Sequence, residues 1–278
     1  MMNKKISKTE RIALITKTLI ENPSQIFTLN YFSDMLDHAK STLSEDIKSI
    51  EASFEKYHLG KIYSISGAAG GVYYLPLAHK TFVEKVQTDL CNKLSETSRI
   101  IPGGYLYMND ILYDPSWLEK IALCIVSYYE SASMDYVVTI ETKGIPLALA
   151  VARILNKPIV VIRKSARLTE GTTLQMNYVT GSKQNIKTMS MPIKSIKRGS
   201  KVLFVDDFMK AGGTAKGVVD FMKEFEAQVV GVAVMMSTIT TEEKLVQSYY
   251  SLIDFKGIDE KNKIIHMIPS NNKSDFTL

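Results

Sequence analysis

The sequence predicts an α/β body built on a parallel sheet, preceded by a small head of three helices and a hairpin. Three observations carry this. Apolar strands alternate with helical segments from Ser133 onward. Ahead of them, residues 1–75 show three helix-like patterns and then two short β-like runs around a glycine-rich tip. The length of 278 residues suits two domains, placed at 1–75 and 76–278.

In the head, Ser7-Lys-Thr-Glu10 forms a capping-box pattern, followed by Ile12, Ile15 and Leu19 at helical spacing. Asn22-Pro23 ends that helix. Thr28 starts a second helix with Leu29, Phe32 and Leu36 on one face. Thr42-Leu-Ser-Glu45 reads as another capping box, and Leu43, Ile47, Ile50, Phe54 and Tyr57 continue an apolar stripe that ends near Gly60. Lys61–Ile65 and Val72–Leu75 flank the glycine-rich tip Ser66–Gly71, which reads as a hairpin.

Three helices and a hairpin in this order resemble a winged helix-turn-helix. The third helix buries its apolar stripe and offers Lys40, Ser41, Thr42 and Ser44 at its positive end, where phosphates or base edges can approach. Lys8 and Arg11 at the first helix and Gly70 in the wing complete the expected DNA-contacting set. Residues 1–75 hold nine basic and eight acidic side chains, an atypically neutral balance for a strong stand-alone DNA binder. A helical accessory or dimerisation domain therefore stays open as the alternative.

In the body, Thr81–Leu94 reads as a connecting helix. Tyr136–Ile140, Pro158–Arg163, Lys201–Val205 and Val229–Met235 read as strands, and Ile145–Leu155 and Gly213–Phe225 as helices. Near-continuous apolar strands imply a parallel sheet covered on both faces, with ligands bound beyond the strands' C-terminal ends. There the chain reads VLFVDDFMKAGGT, Val202 to Thr214. Amides at a helix start and bare glycines suit a phosphate, and Thr214 adds a hydroxyl. Asp206 and Asp207 repel phosphate but accept hydrogen bonds from a vicinal diol. The motif suits a ribose and its phosphate together.

This stretch is similar to the phosphoribosyl-pyrophosphate (PRPP) signature of type I phosphoribosyltransferases. The resemblance implies that Asp206, Asp207, Lys210, Ala211, Gly212, Gly213 and Thr214 bind PRPP. It also implies that Thr142, Lys143 and Gly144, after the first strand, bind its pyrophosphate. Arg163 and Lys164 stand where they can meet the same charge. Leu168–Met191, polar with Gly171 and Gly181, resembles that family's flexible hairpin. Ala211 replaces a usual hydroxyl residue, and Lys210 a small one.

Head and body joined, with DDFMKAGGT, TKGIP and Pro102-Gly-Gly-Tyr105, resemble the purine operon repressors of Gram-positive bacteria. The resemblance implies a homodimer that binds double-stranded operator DNA and takes PRPP, with Mg²⁺, as an effector that lowers DNA affinity. It also implies a role for Tyr105 in the effector pocket, no catalytic residues, and alarmone nucleotides as competitors. An active purine phosphoribosyltransferase with an N-terminal extension is the runner-up.

The remaining composition is consistent with this. The net charge is +5, from 34 Lys+Arg and 29 Asp+Glu. Between Glu170 and Asp206 there is no acid, while Lys183, Lys187, Lys194, Lys197, Arg198 and Lys201 are basic. No run approaches the roughly 20 apolar residues of a membrane span, and the N-terminus lacks a signal-peptide pattern, so the chain reads as cytoplasmic. Cys91 and Cys124 read as core cysteines. His38, His58, His79 and His266 lack metal-ligand spacing.

Overall fold

The computed structural model describes residues 6–67, 70–180, 185–239 and 243–271. The chain forms two compact units: Met1–His79 with Arg153–Asn156, and Lys80–Ala152 with Lys157–Leu278.

The head begins with α1, Lys8–Glu21. Its capping box is complete: Ser7 Oγ accepts from the Glu10 amide at 3.3 Å, and Glu10 Oε2 accepts from the Ser7 amide at 2.8 Å. Thr28 caps α2, Leu29–Leu36, by accepting from the Tyr31 amide. The third helix, α3, spans Lys40–Lys56. Its N-cap is Ala39, which supplies no side-chain hydrogen bond, so Thr42 lies inside the first turn and the expected second capping box does not form. Because α3 stops at Lys56, Tyr57 leaves the apolar stripe and is 63 % exposed.

Strands β1, Lys61–Ile65, and β2, Gly71–Leu75, pair antiparallel from Lys61 opposite Leu75 to Ile65 opposite Gly71. The segment before α2 joins them: Phe27 and Val72 exchange both backbone hydrogen bonds at 2.8 Å. A Cβ on Gly71 would stand 2.4 Å from Phe27 O, so only glycine admits this third segment. Ile15, Leu19, Phe32, Leu36, Leu43, Ile47, Ile50, Phe54, Ile62 and Val72 fill the head core.

The body opens with α4, Lys80–Leu94, and a short hairpin of β3, Ile100–Ile101, and β4, Tyr105–Leu106. Two helices follow, α5, Asn109–Leu112, and α6, Pro115–Tyr128. Asp114 caps α6 by accepting from the Ser116 amide at 2.7 Å, and Pro115 fills the first turn. The α/β succession is β5 Tyr136–Ile140, α7 Ile145–Leu155, β6 Ile159–Ile162, the hairpin β7 Thr173–Thr180 and β8 Asn185–Pro192, then β9 Lys201–Met209. It ends with α8 Gly213–Glu224, β10 Gln228–Thr238, β11 Tyr250–Asp259 and β12 Ile264–Pro269.

The main sheet has the order β12-β11-β10-β9-β5-β6, parallel except for the antiparallel edge strand β12. The chain steps from β5 outward to β6, then returns to the other side of β5 for β9. The order reverses between β5 and β9, the place where such sheets open a ligand crevice.

The β7–β8 hairpin differs from the polar cover expected. Alternation turns Gln175, Asn177 and Val179 to solvent but Leu174, Met176 and Tyr178 inward. With Met189 and Met191 they join the core that includes Val218, Phe221 and Met222 of α8. Gly181 and Lys183 lie outside the described residues.

Candidate functional site

The acidic pair lies within β9 rather than after it, because the strand runs on to Met209. Val202–Phe204 pair with β5, whereas pairing with β10 continues through Met209. Pairing with β5 ends at Phe204, and Asp206 and Asp207 follow on the part of β9 that pairs with β10 alone. Alternation along the strand separates them: Asp206 is buried and Asp207 only partly so.

Asp206 Oδ1 accepts from the Asp207 amide at 2.9 Å. Burial, then the Asp207 charge, pushes the Asp206 carboxyl well above the usual carboxylate range, and Lys164 opposes the shift. A Cβ on Gly144 would stand 2.4 Å from Asp206 Oδ1 and 2.7 Å from Thr139 Oγ1. Gly144 is thus the point where the turn after β5 rests on the acidic strand. Thr139 is fully buried on β5, and its Oγ1 finds no partner among the described residues. A buried carboxyl and a buried hydroxyl without a partner among the described residues thus meet at this one glycine.

Lys210–Gly212 lead from β9 into α8. Gly212 holds φ 80° at the N-cap, a left-handed conformation that favours glycine. The Ala211 carbonyl accepts from the Leu245 amide at 3.0 Å, which pins the loop. The first amides of α8, on Gly213, Thr214 and Ala215, lack intrahelical acceptors and form an anion-attracting end. Lys210, Thr142 and Lys143 are exposed. The two turns expected to bind phosphate thus follow the neighbouring interior strands β5 and β9.

Two basic residues fare differently. Arg163 Nε donates to Glu170 Oε1 at 2.6 Å, and Nη1 lies 3.5 Å from Glu141 Oε2. Its charge is engaged by acids. The Lys164 amide donates to Glu141 Oε1 at 2.8 Å, while its side chain is exposed. Tyr105 is 68 % exposed on β4. Arg99 fixes the base of that hairpin, donating to Tyr107 O at 3.1 Å and to both Asp110 carboxylate oxygens at 2.8 Å.

In the head, a cleft of about 500 Å³ lies between α3, the start of α2 and the wing. Lys40, Ser44, Lys48 and Glu51 of α3 line one wall, Thr28 and Asn30 another, and Ser64, Gly67 and Gly70 the wing side. Lys40, Ser44 and Gly70, three of the residues expected to contact DNA, therefore line this cleft. A Cβ on Gly70 would stand 2.3 Å from Ile65 O, so the turn closes only with glycine. Ala68 and Ala69 of the tip lie outside the described residues. Lys48 and Asn30 are additions. Lys48 was readable, since it follows Lys40 and Ser44 at spacings of four.

Arg11 is a correction. It is buried, and its Nε donates to Asp46 Oδ2 at 2.7 Å, so it ties α1 to α3 and does not reach DNA. Its position beside Ile15 and Leu19 on the inward stripe was the missed signal. Lys8 is exposed on α1, and Ser41 and Thr42 on α3 do not line the cleft.

Comparison with known proteins matches both parts of the chain. Residues 7–76 match the family model described as "Bacterial purine repressor, N-terminal", and residues 108–265 match the "Phosphoribosyl transferase domain". The chain is 40% identical over 267 residues to the purine biosynthesis transcriptional repressor PurR of Bacillus subtilis, covering 96% of this chain and 94% of that protein. The chain belongs to the PurR family. A PurR of Lactococcus lactis, named as a purine biosynthesis transcriptional activator, is 37% identical over 97% of this chain and all of its own length. The PurR family thus includes proteins named for opposite signs of regulation. Among solved structures, adenine phosphoribosyltransferase from Thermoanaerobacter pseudethanolicus aligns with TM-score 0.52 at 16% identity, over 60% of this chain and 99% of that one. That likeness establishes the phosphoribosyltransferase fold of the body.

Proposed function

We propose that this protein is a DNA-binding repressor of purine biosynthesis genes whose operator affinity falls when PRPP occupies the body. The observation that carries the reading is the meeting of Asp206, Gly144 and the α8 start at the sheet's reversal point. A ribose diol suits the carboxylates, its 5-phosphate the α8 amides, and its pyrophosphate the Thr142-Lys143-Gly144 turn. Mg²⁺ is commonly held by one or two carboxylates together with substrate phosphates. The acidic pair fits that pattern, with the ion arriving on the ligand's own phosphates. Among the described residues no group of three or more His, Cys, Asp and Glu gathers as a metal site.

The head binds the operator through the cleft walls. Lys40 and Lys48 meet phosphates, and Ser44 and Asn30 hydrogen-bond with DNA. A homodimer doubles these contacts and offsets the head's near-neutral charge. PRPP adds several negative charges at the C-terminal end of β9, whereas Lys197, Arg198 and Lys201 of the acid-free basic stretch lie before or at its N-terminal end. Electrostatic DNA binding weakens steeply when phosphate contacts are lost. Alarmone nucleotides with a pyrophosphate compete for the same site. No helix among the described residues is long and apolar enough to cross a membrane.

Two other readings rest on specific observations. The 37% identical relative named as an activator supports a regulator of opposite sign. The phosphoribosyltransferase match over residues 108–265 supports an active purine phosphoribosyltransferase. One titration tests the main reading: purine-gene promoter DNA with and without Mg²⁺·PRPP. Release of DNA by PRPP supports it, and an unchanged gel shift refutes it. Promoter fusions in cells give the sign. Turnover of adenine, guanine, hypoxanthine or xanthine to nucleotide would establish the enzyme.

A further inference from the structure

The start of α8 has no side chain to order it. Gly212 is the N-cap and makes no side-chain hydrogen bond, and Ala211 before it carries only a methyl group. A serine, threonine, asparagine or aspartate commonly supplies that bond. Here a distant segment holds the loop instead. Residues 244–249, just ahead of β11, run against it. The Leu245 amide donates to the Ala211 carbonyl at 3.0 Å. A Cβ on Gly212 would stand 3.2 Å from the Val246 nitrogen and 3.3 Å from the Leu245 nitrogen, so the two backbones lie in close contact. The segment is itself secured. Val246 and Tyr249 pack on the core that includes Met209 and Ala215, one to either side of the loop. Lys244 Nζ donates to the Tyr249 hydroxyl at 2.8 Å and lies 4.6 Å from the centre of that ring. Leu245, by contrast, is 57 % exposed, so its joint with the loop is made through the backbone.

This hold has a direction. A peptide unit is planar and trans, so a carbonyl and the N–H that follows it point opposite ways. With the Ala211 oxygen turned onto residues 244–249, the Gly212 N–H points away from them. The Gly212 oxygen is engaged as well, accepting from the Lys216 amide at 2.8 Å. A rotated Ala211–Gly212 peptide would present an oxygen where an amide now stands. We propose that residues 244–249 form a strap that positions the ribose-phosphate loop, with the Leu245 amide as the positioning group. The strap keeps the Ala211 oxygen off the bound 5-phosphate and aims the Gly212 amide toward it. Resting on the PRPP reading above, the assignment extends that site to the segment before β11.

Calorimetry on the full chain tests it, with PRPP titrated directly and ribose 5-phosphate measured by its displacement of PRPP. Replacing the Leu245 amide by an ester, through the hydroxy acid that matches leucine, removes the donor and keeps the side chain. It is expected to weaken both ligands by the same factor, because they share the 5-phosphate. That factor is about three- to tenfold, the range of one net hydrogen bond. Leu245→Pro removes the same donor and is expected to show at least that loss, again equal for the two ligands. Leu245→Ala keeps the amide and is expected to bind both as the wild type does. Wild-type affinity without the donor, a loss confined to PRPP, or a loss in Leu245→Ala equal to that of the ester each overturn the assignment. A wild type that binds PRPP but does not yield it to ribose 5-phosphate overturns the strap's role alone. A wild type that does not saturate with PRPP overturns the PRPP reading, and the strap's role with it.

Discussion

Asp206 shows how one residue's surroundings set what the site accepts. Its carboxyl is buried, accepts from the Asp207 amide, is acted on by the Asp207 charge and rests on a glycine that leaves no space for a side chain. Its folded-state pKa is raised above the unfolded value, so its contribution to stability is largest below the unfolded pKa and is lost as pH rises through the folded pKa. Asp206→Asn removes that pH dependence. The variant is expected to melt about 2–4 °C above the ligand-free wild type at pH 8, a gap that shrinks toward pH 4. Thermal scans across pH check this. Equal melting temperatures at both ends contradict a buried, neutral-leaning carboxyl. At Gly144, alanine would place a methyl group 2.4 Å from Asp206 Oδ1. Gly144→Ala is expected to abolish PRPP binding and to cost about 1–3 kcal/mol of stability, by calorimetry and denaturant titration.

At the scale of elements, the head depends on two unlike joints. One is the buried ion pair from α1 to α3. Removing one partner leaves the other charge buried alone, which costs about 3–5 kcal/mol. Asp46→Ala is therefore expected to unfold the head selectively, seen as lost DNA binding with PRPP affinity retained. The other joint is the Phe27–Val72 pairing, which secures the start of α2 beside the wing. Between these elements lies the cleft that Lys48 lines. Lys48→Ala is expected to weaken binding of all DNA sequences alike and to reduce the salt slope by about one. A sequence-specific loss would instead assign Lys48 to base readout. In the body, α8 serves two ends. Its first turn presents free amides, and Gly217 in its interior lies against Tyr178 of the hairpin.

For the whole molecule, regulation requires coupling between effector and DNA, and that coupling is reciprocal. If PRPP lowers DNA affinity by a given factor, DNA lowers PRPP affinity by the same factor, with about 1–3 kcal/mol sufficient for a useful switch. Asp206→Ala with Asp207→Ala is expected to bind promoter DNA normally and to ignore PRPP. Continued release of DNA from this double variant places the effector elsewhere.

The sequence alone determined the order of parts. Capping at Ser7 and Thr28, the stripe from Leu43 to Phe54 and the β9–α8 junction follow from local periodicity and turn chemistry, which act within a few residues. The residues of the candidate site at Val202–Thr214 were legible for the same reason, since acids, glycines and a helix start are contiguous there. Local patterns did not reveal β11 and β12, the capped helix α6, or the packed face of the β7–β8 hairpin. Those depend on partners far away in the chain. Tertiary structure also decided that Arg11 is a buried tie rather than a DNA contact. It decided as well that Gly144 rests on Asp206. Which groups meet across a fold depends on strand order and register, and no short stretch of sequence contains either.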